Sequence, residues 1–227
     1  MKQSNTKILD LITRYKLLCI MLFIIILMLF LAPSFFNPTN LINIVANVSI
    51  NGIAAVGMTL LMISRSFDIS IGAMMVLTGA ISIITVNRFD SPALAILIGT
   101  LAGVLTGLLN GTLVAKLKIN SFIATLGTFV IYHGMTFSLT NMRPVATPNV
   151  TFQKFATAEI FKIPLVVFYF FAATMIIWFI SRFTQLGKNA YAIGGNSEAG
   201  RRGGSKVDLY TMSCFVSSGV FTAFAGV

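Results

Sequence analysis

The chain has 227 residues, 56% of them hydrophobic and 10% charged, with sixteen Lys and Arg against six Asp and Glu and a formal charge of +10. An ordinary soluble domain is about a quarter charged, so this inventory builds neither a water-facing surface nor a disordered chain. Cys19 and Cys214 both lie in apolar runs, which excludes a disulfide framework and a cysteine-rich metal site.

What remains is a membrane protein, and its ionisable residues mark the segments. A basic start (Lys2, Lys7, Arg14, Lys16) leads into a stretch without Asp, Glu, Lys or Arg from residue 17 to residue 64. A spanning helix takes roughly 20 apolar residues. The stretch therefore predicts two spans, 17–33 and 41–63, broken at Pro33-Ser-Phe-Phe-Asn-Pro38, where two prolines and an asparagine favour a turn. The first has the layout of a secretory signal, but six spans follow it and it reads as a retained anchor.

In the second span Asn43, Asn47 and Asn51 recur every fourth residue. Amides facing lipid would be unsatisfied, so the stripe reads either as interhelical hydrogen bonding or as the polar lining of a translocation path. Asp68 stands in Arg65-Ser-Phe-Asp-Ile-Ser-Ile-Gly72, at the inner start of a third span, 69–87. It reads as an N-capping carboxylate paired with Arg65, with a substrate or coupling role as the other reading. The fourth span, 93–115, carries Gly99, Gly103, Gly107 and Gly111 on one face. Small-xxx-small spacing predicts close backbone packing against another helix of the bundle, or else a dimer interface. His133, the single histidine, falls in the fifth span, 120–140. It is either a functional intramembrane group or a neutral hydrogen-bonded side chain near the outer end.

The outer segment 141–162 is long enough to lie along the membrane surface, and a sixth span covers 163–181. The inner stretch 182–209 is the longest polar segment, Gly-rich and basic, with Ala190, Tyr191, Ile193 and Val207 as apolar anchors, and it is the first place to look for a cytosolic partner. A seventh span, 210–227, ends the sequence.

With a cytoplasmic N-terminus, the inner segments hold Lys2, Lys7, Arg14, Lys16, Arg65, Lys116, Lys118, Arg182, Lys188, Arg201, Arg202 and Lys206. The outer ones hold Arg88, Arg143, Lys154 and Lys162. Twelve against four obeys the positive-inside rule. The +10 is then explained by topology, and nucleic acid is not implied. One histidine, no paired membrane carboxylates and no Cys/His cluster leave no metal site, no cofactor and no nucleophile with its base. Gly195-Asn-Ser-Glu-Ala-Gly200 has the glycine spacing of a phosphate loop but continues as Arg201-Arg202, without the required Lys and Ser/Thr. Asn47, Asn110 and Asn149 head chance glycosylation triplets.

Five segments then resemble, in order, motifs of the permease subunits of ribose/xylose/galactose-type bacterial ABC importers. They are Asn51-Gly-Ile-Ala-Ala-Val-Gly-Met-Thr59, Phe67-Asp-Ile-Ser-Ile-Gly72, Asn110-Gly-Thr-Leu-Val-Ala115, Phe122-Ile-Ala-Thr-Leu-Gly-Thr128 and Tyr191-Ala-Ile-Gly-Gly-Asn-Ser-Glu-Ala199. The resemblance implies an all-α polytopic bundle, a single permease domain over 1–227, in the bacterial plasma membrane. Its partners would be membrane lipid, a cytosolic ATPase, an extracytoplasmic substrate-binding protein and a second permease chain, identical or not. It also implies that 182–209 is a coupling loop touching the ATPase, with Gly194, Gly195, Asn196, Glu198, Ala199 and Gly204 as its residues. Asn43, Asn47, Asn51, Asp68 and His133 are candidates for the path.

Three departures accompany it. Arg65-Ser66 replaces a usual Gly-Gly, as in some autoinducer-2 and rhamnose types. Gly200-Arg-Arg-Gly-Gly204 replaces a more helical run, and about seven spans are present where ten or so are expected, as for a C-terminally truncated chain. The expected function is monosaccharide import driven by a partner's ATP hydrolysis, not catalysis by this chain. The alternative is a stand-alone secondary transporter or channel. It is disfavoured because intramembrane ionisable groups are few, while a membrane enzyme lacks any nucleophile.

Overall fold

The structure, a computed structural model, describes residues 15–227, so Lys2, Lys7 and Arg14 of the basic start lie outside the described residues. The chain divides into two units, Met1–Val45 and Ala46–Val227.

The first unit holds helix α1 (Lys16–Leu31), a 3-10 turn (Pro33–Phe36) and the opening of α2 (Pro38–Ile63). No residue of α1 is buried. Its 16 residues rise about 24 Å at 1.5 Å each, short of the roughly 30 Å of a hydrocarbon core. The helix stops because Pro33 disfavours helical backbone in the residue before it, and Ala32 leaves the helical region at φ −142°, ψ 73°. Asn37 Oδ1 then accepts from the Thr39 N–H at 3.0 Å, and Asn40 Nδ2 donates to the Phe35 carbonyl at 2.8 Å, turning the chain into α2.

The second unit continues α2 and adds α3 (Ile71–Phe89), α4 (Pro92–Ala115), α5 (Ser121–Thr140), α6 (Val150–Thr157), α7 (Leu165–Phe183), α8 (Gln185–Arg202) and α9 (Val207–Gly226). Strands β1 (Glu159–Ile160) and β2 (Ile163–Pro164) pair antiparallel between α6 and α7. Among the described residues six helices are long and apolar enough to cross a membrane: α2, α3, α4, α5, α7 and α9. The expected seven spans are thus six plus the shorter α1. Side-chain caps set several starts, with Ser91 Oγ accepting from Leu94 N, Asn120 Oδ1 from Phe122 N and Asn149 Oδ1 from Phe152 N. Asp90 and Asn141 end α3 and α5 in the left-handed conformation. Segment 141–162 folds into α6, which buries Phe152, and most of the β hairpin.

The centre of this unit is the contact between α4 and α9. All four glycines of the α4 stripe are buried. A Cβ on Gly107 would sit 2.6 Å from the Phe215 carbonyl oxygen and 3.0 Å from Val216 Cα, and one on Gly111 would sit 2.9 Å from Met212 Cγ. On Gly103 it would strike the Gly219 carbonyl and the Ala223 methyl, and on Gly99 the Ser82 hydroxyl. The glycine face is therefore filled within the chain, by α9 and the edge of α3. The opposite face of α4 exposes Leu97, Leu101, Leu105 and Leu108. Around this pair, Leu60, Leu61, Ile177, Ala190, Cys214 and Phe215 form a buried cluster joining α2, α7, α8 and α9.

Gly107→Leu is expected to destabilise the bundle by about 3 kcal/mol, since overpacking forces backbone shifts. Gly127→Leu on α5, where a Cβ meets nothing within 4 Å, is expected to be near neutral. Thermal unfolding in detergent measures both, and equal midpoints for the two variants would contradict the packing.

Candidate functional site

The turn from α2 into α3 carries a buried carboxylate. Asp68 is 3% exposed. Its Oδ1 accepts from the Ser70 N–H at 2.8 Å and the Ser70 hydroxyl at 2.6 Å, and its Oδ2 accepts from Asn110 Nδ2 at 3.2 Å. Asn110, on α4 and fully buried, also donates to Ser70 Oγ at 2.8 Å. The Tyr132 hydroxyl of α5 lies 3.3 Å from Asn110 Oδ1 and 3.1 Å from the Thr106 carbonyl. Backbone donors complete the seam, with Ile69 N–H bonded to Thr125 Oγ1 and Phe67 N–H to Ser121 Oγ.

The expected ion pair with Arg65 does not form. Arg65 is exposed at φ 58°, and Asp68 is met by the neutral donors of Ser70 and Asn110 instead. Nor is Asp68 the cap itself: α3 begins at Ile71, and Asp68 bonds the N–H two residues on, an Asx turn that orients Ser70 at the cap position. Burial pushes its carboxyl above the usual range, with the Ser70 and Asn110 hydrogen bonds pulling the other way.

The other path candidates are dispersed. Asn51 Nδ2 donates to the Asn47 carbonyl within α2 at 3.1 Å, and both residues are exposed on the second unit. Asn43 is exposed in the first unit. His133 is half-buried between the rings of Phe129 (4.7 Å) and Phe137 (6.0 Å) on its own helix. A cleft of about 520 Å³, lined among others by Met75, Gly79, Thr136 and Arg143, contains none of the five.

The polar stretch 182–209 is mostly helix. Thr184 Oγ1 accepts from the Gly187 N–H to start α8. Ala190 and Ile193 are buried, and Gly194 touches the end of α2 so closely that a Cβ there would strike the Ile63 carbonyl. The helix breaks at Asn196 (φ −156°, ψ 104°), whose Oδ1 accepts from the Glu198 and Ala199 N–H groups at 3.0 Å and so caps a second helical piece. Gly195, Asn196, Glu198, Ala199 and Gly204 are exposed, and Glu198 pairs with Arg202 at 3.1 Å. Asp208, in the first turn of α9, bridges Arg201 (3.2 Å) and Lys118. Ser64, Lys118, Ile193, Glu198 and Asp208 line part of a cleft of about 450 Å³. Sequence reasoning missed Asn110, Tyr132 and the Lys118–Asp208 pair. Asn110 was visible only as the head of a motif and of a chance glycosylation triplet.

Residues 40–227 match the family described as branched-chain amino acid transport system / permease component. The chain belongs to that family. It is similar to the ribose import permease protein RbsC of Bacillus subtilis, 35% identical over 205 residues, covering 89% of this chain and 64% of the relative. RbsC of Haemophilus influenzae is 34% identical, at 86% and 62% coverage. The galactose/methyl galactoside import permease protein MglC of Escherichia coli is 30% identical, at 94% and 68%. The chain thus spans somewhat under two thirds of the ribose relatives from B. subtilis and H. influenzae. No solved structure matches it. Six apolar helices in a member of this family make a multi-pass protein of the bacterial plasma membrane.

Because the folded-state pKa of Asp68 lies above its ordinary value, its contribution to stability is full below that value and is lost as pH rises through the folded one. The melting midpoint of the wild type is expected to fall with rising pH relative to Asp68→Asn. Parallel pH profiles for the two proteins would refute the buried-carboxylate description.

Proposed function

We propose that the chain is the membrane-spanning permease subunit of an ATP-driven importer for a monosaccharide or related polyol-like solute. In this reading it works with a separate cytosolic ATPase, an extracytoplasmic binding protein and a second permease chain, and catalyses no reaction itself. The observation that carries the reading is the similarity to ribose and galactose import permeases along most of the chain. The N-terminus is cytoplasmic in this assignment, which puts Arg65, Lys116, Lys118, Lys188, Arg201, Arg202 and Lys206 on the inner side.

The stretch 182–209 is then the coupling element. Its second helical piece presents Glu198 and Ala199 to solvent, where a groove of the ATPase can receive them. Movement of that piece passes through Gly194 to the end of α2 and through the Arg201–Asp208–Lys118 bridge to α9 and the α4–α5 turn. Both routes meet spans directly, so closure of the ATPase becomes a tilt of helices. In the second unit Asn47, Asn51 and His133 supply hydrogen-bonding groups suited to sugar hydroxyls, and the Asp68 turn, bonded to Asn110 and to the Ser121 and Thr125 hydroxyls, holds α3, α4 and the start of α5 together while neighbours move.

Glu198→Arg is the test. Glu198 is exposed and makes only a surface ion pair, worth under about 1 kcal/mol, so insertion and yield are expected to be unchanged while copurification with the ATPase and uptake of labelled sugar fall. Undiminished ATPase binding and uptake would remove the coupling role.

A further inference from the structure

A second cationic feature lies where α4 stops and α9 starts, and it goes beyond the transport reading. A cleft of about 430 Å³ there is lined by Lys116, Arg201, Lys206, Asp208, Leu209 and Met212, with Ser205 and Val207 between them. Lys116 is the residue that closes α4, and Lys206 the one that precedes α9. Both ammonium groups therefore stand at the end of a spanning helix, where hydrocarbon gives way to water.

Three cations line the cleft with one acid. That acid, Asp208, is already bridged by Arg201 and, from outside the cleft, by Lys118. Among the described residues neither Lys116 nor Lys206 has a carboxylate within ion-pair distance. The cleft keeps a positive excess that nothing in the described chain neutralises.

Its remaining walls are apolar. Leu209 is 49% exposed, and Met212 is half-buried with its sulfur accepting from the Thr112 hydroxyl. Leu109 and Leu105, both exposed, lie seven and eleven residues before Lys116, close to whole numbers of turns, so the same face of α4 runs from the lysine into a leucine track.

We propose that this cleft binds the phosphodiester headgroup of an anionic phospholipid, with its acyl chains lying along Leu109 and Leu105. Ammonium and guanidinium groups form charge-assisted hydrogen bonds with phosphate oxygens, and basic pockets between helices at the membrane surface suit such headgroups. A free anion would use the cations alone, whereas a phospholipid also meets the apolar walls of the cleft at Leu209 and Met212.

The test uses the purified chain reconstituted in vesicles of phosphatidylcholine, alone or mixed with phosphatidylglycerol. The wild type is expected to melt higher in the mixture and to retain phosphatidylglycerol in native mass spectrometry. Lys116→Gln/Lys206→Gln is expected to lose both the shift and the bound lipid. The charge-preserving Lys116→Arg/Lys206→Arg is expected to keep them, as is Lys162→Gln, which changes a lysine that does not line the cleft. Loss in the arginine variant, or equal loss in Lys162→Gln, would overturn the proposal. So would an equal shift from inorganic phosphate in phosphatidylcholine alone. Unchanged lipid retention in the glutamine variant, accompanied by loss of ATPase copurification, would assign the cations to an acidic protein surface and overturn it too. The lipid readouts involve no transport, so they can fail while the importer reading stands, and the reverse.

Discussion

Backbone against backbone, α4 on α9, is the contact on which the rest of this bundle depends. Lipid tails are as apolar as leucine, so helices in a membrane gain little from hydrophobicity and associate through close packing. Gly103, Gly107 and Gly111 remove the side chains that would hold the axes apart, and Gly219 does the same from α9. The fit also sets register. With Gly111 lying on Met212, the turn after α4 arrives beside the first turn of α9, and Lys118 meets Asp208 there.

Asp68 is the costly element that this frame supports. A buried carboxylate needs its oxygens satisfied, and here the donors come from its own turn and from α4, while Tyr132 of α5 braces Asn110 from behind. The partners are small, neutral and held by helices, so the cluster works as a keystone for three elements. An exposed arginine would have met the charge but tied the turn to nothing.

How much of this is readable from residues alone divides by distance along the chain. The spans were legible because a helix in lipid must be apolar for its whole length, and the observed ends fall within about three residues of the charge-free runs. Pro38, Pro92 and Asn120 are local signals and mark their helices accordingly. The partners of Asp68 were not legible, because Asn110 is 42 positions away and nothing in either segment names the other. Helix α8 was hidden for a different reason. Gly187, Gly194, Gly195 and Gly200 lower its propensity, and it is held by burial of Ala190, Ile193 and Gly194. Two of those glycines, Gly187 and Gly194, are where close approach is needed, although all four read as signs of a loop.

Gly194 has one more consequence. Where two segments touch through side chains, rotamers absorb the first fraction of an ångström of any displacement. At Gly194 a main chain rests on the carbonyl of Ile63 with nothing between, five residues before Asp68. Such a joint has no slack. Displacing α8 at this point moves main chain against main chain at the end of α2, with no side chain in between.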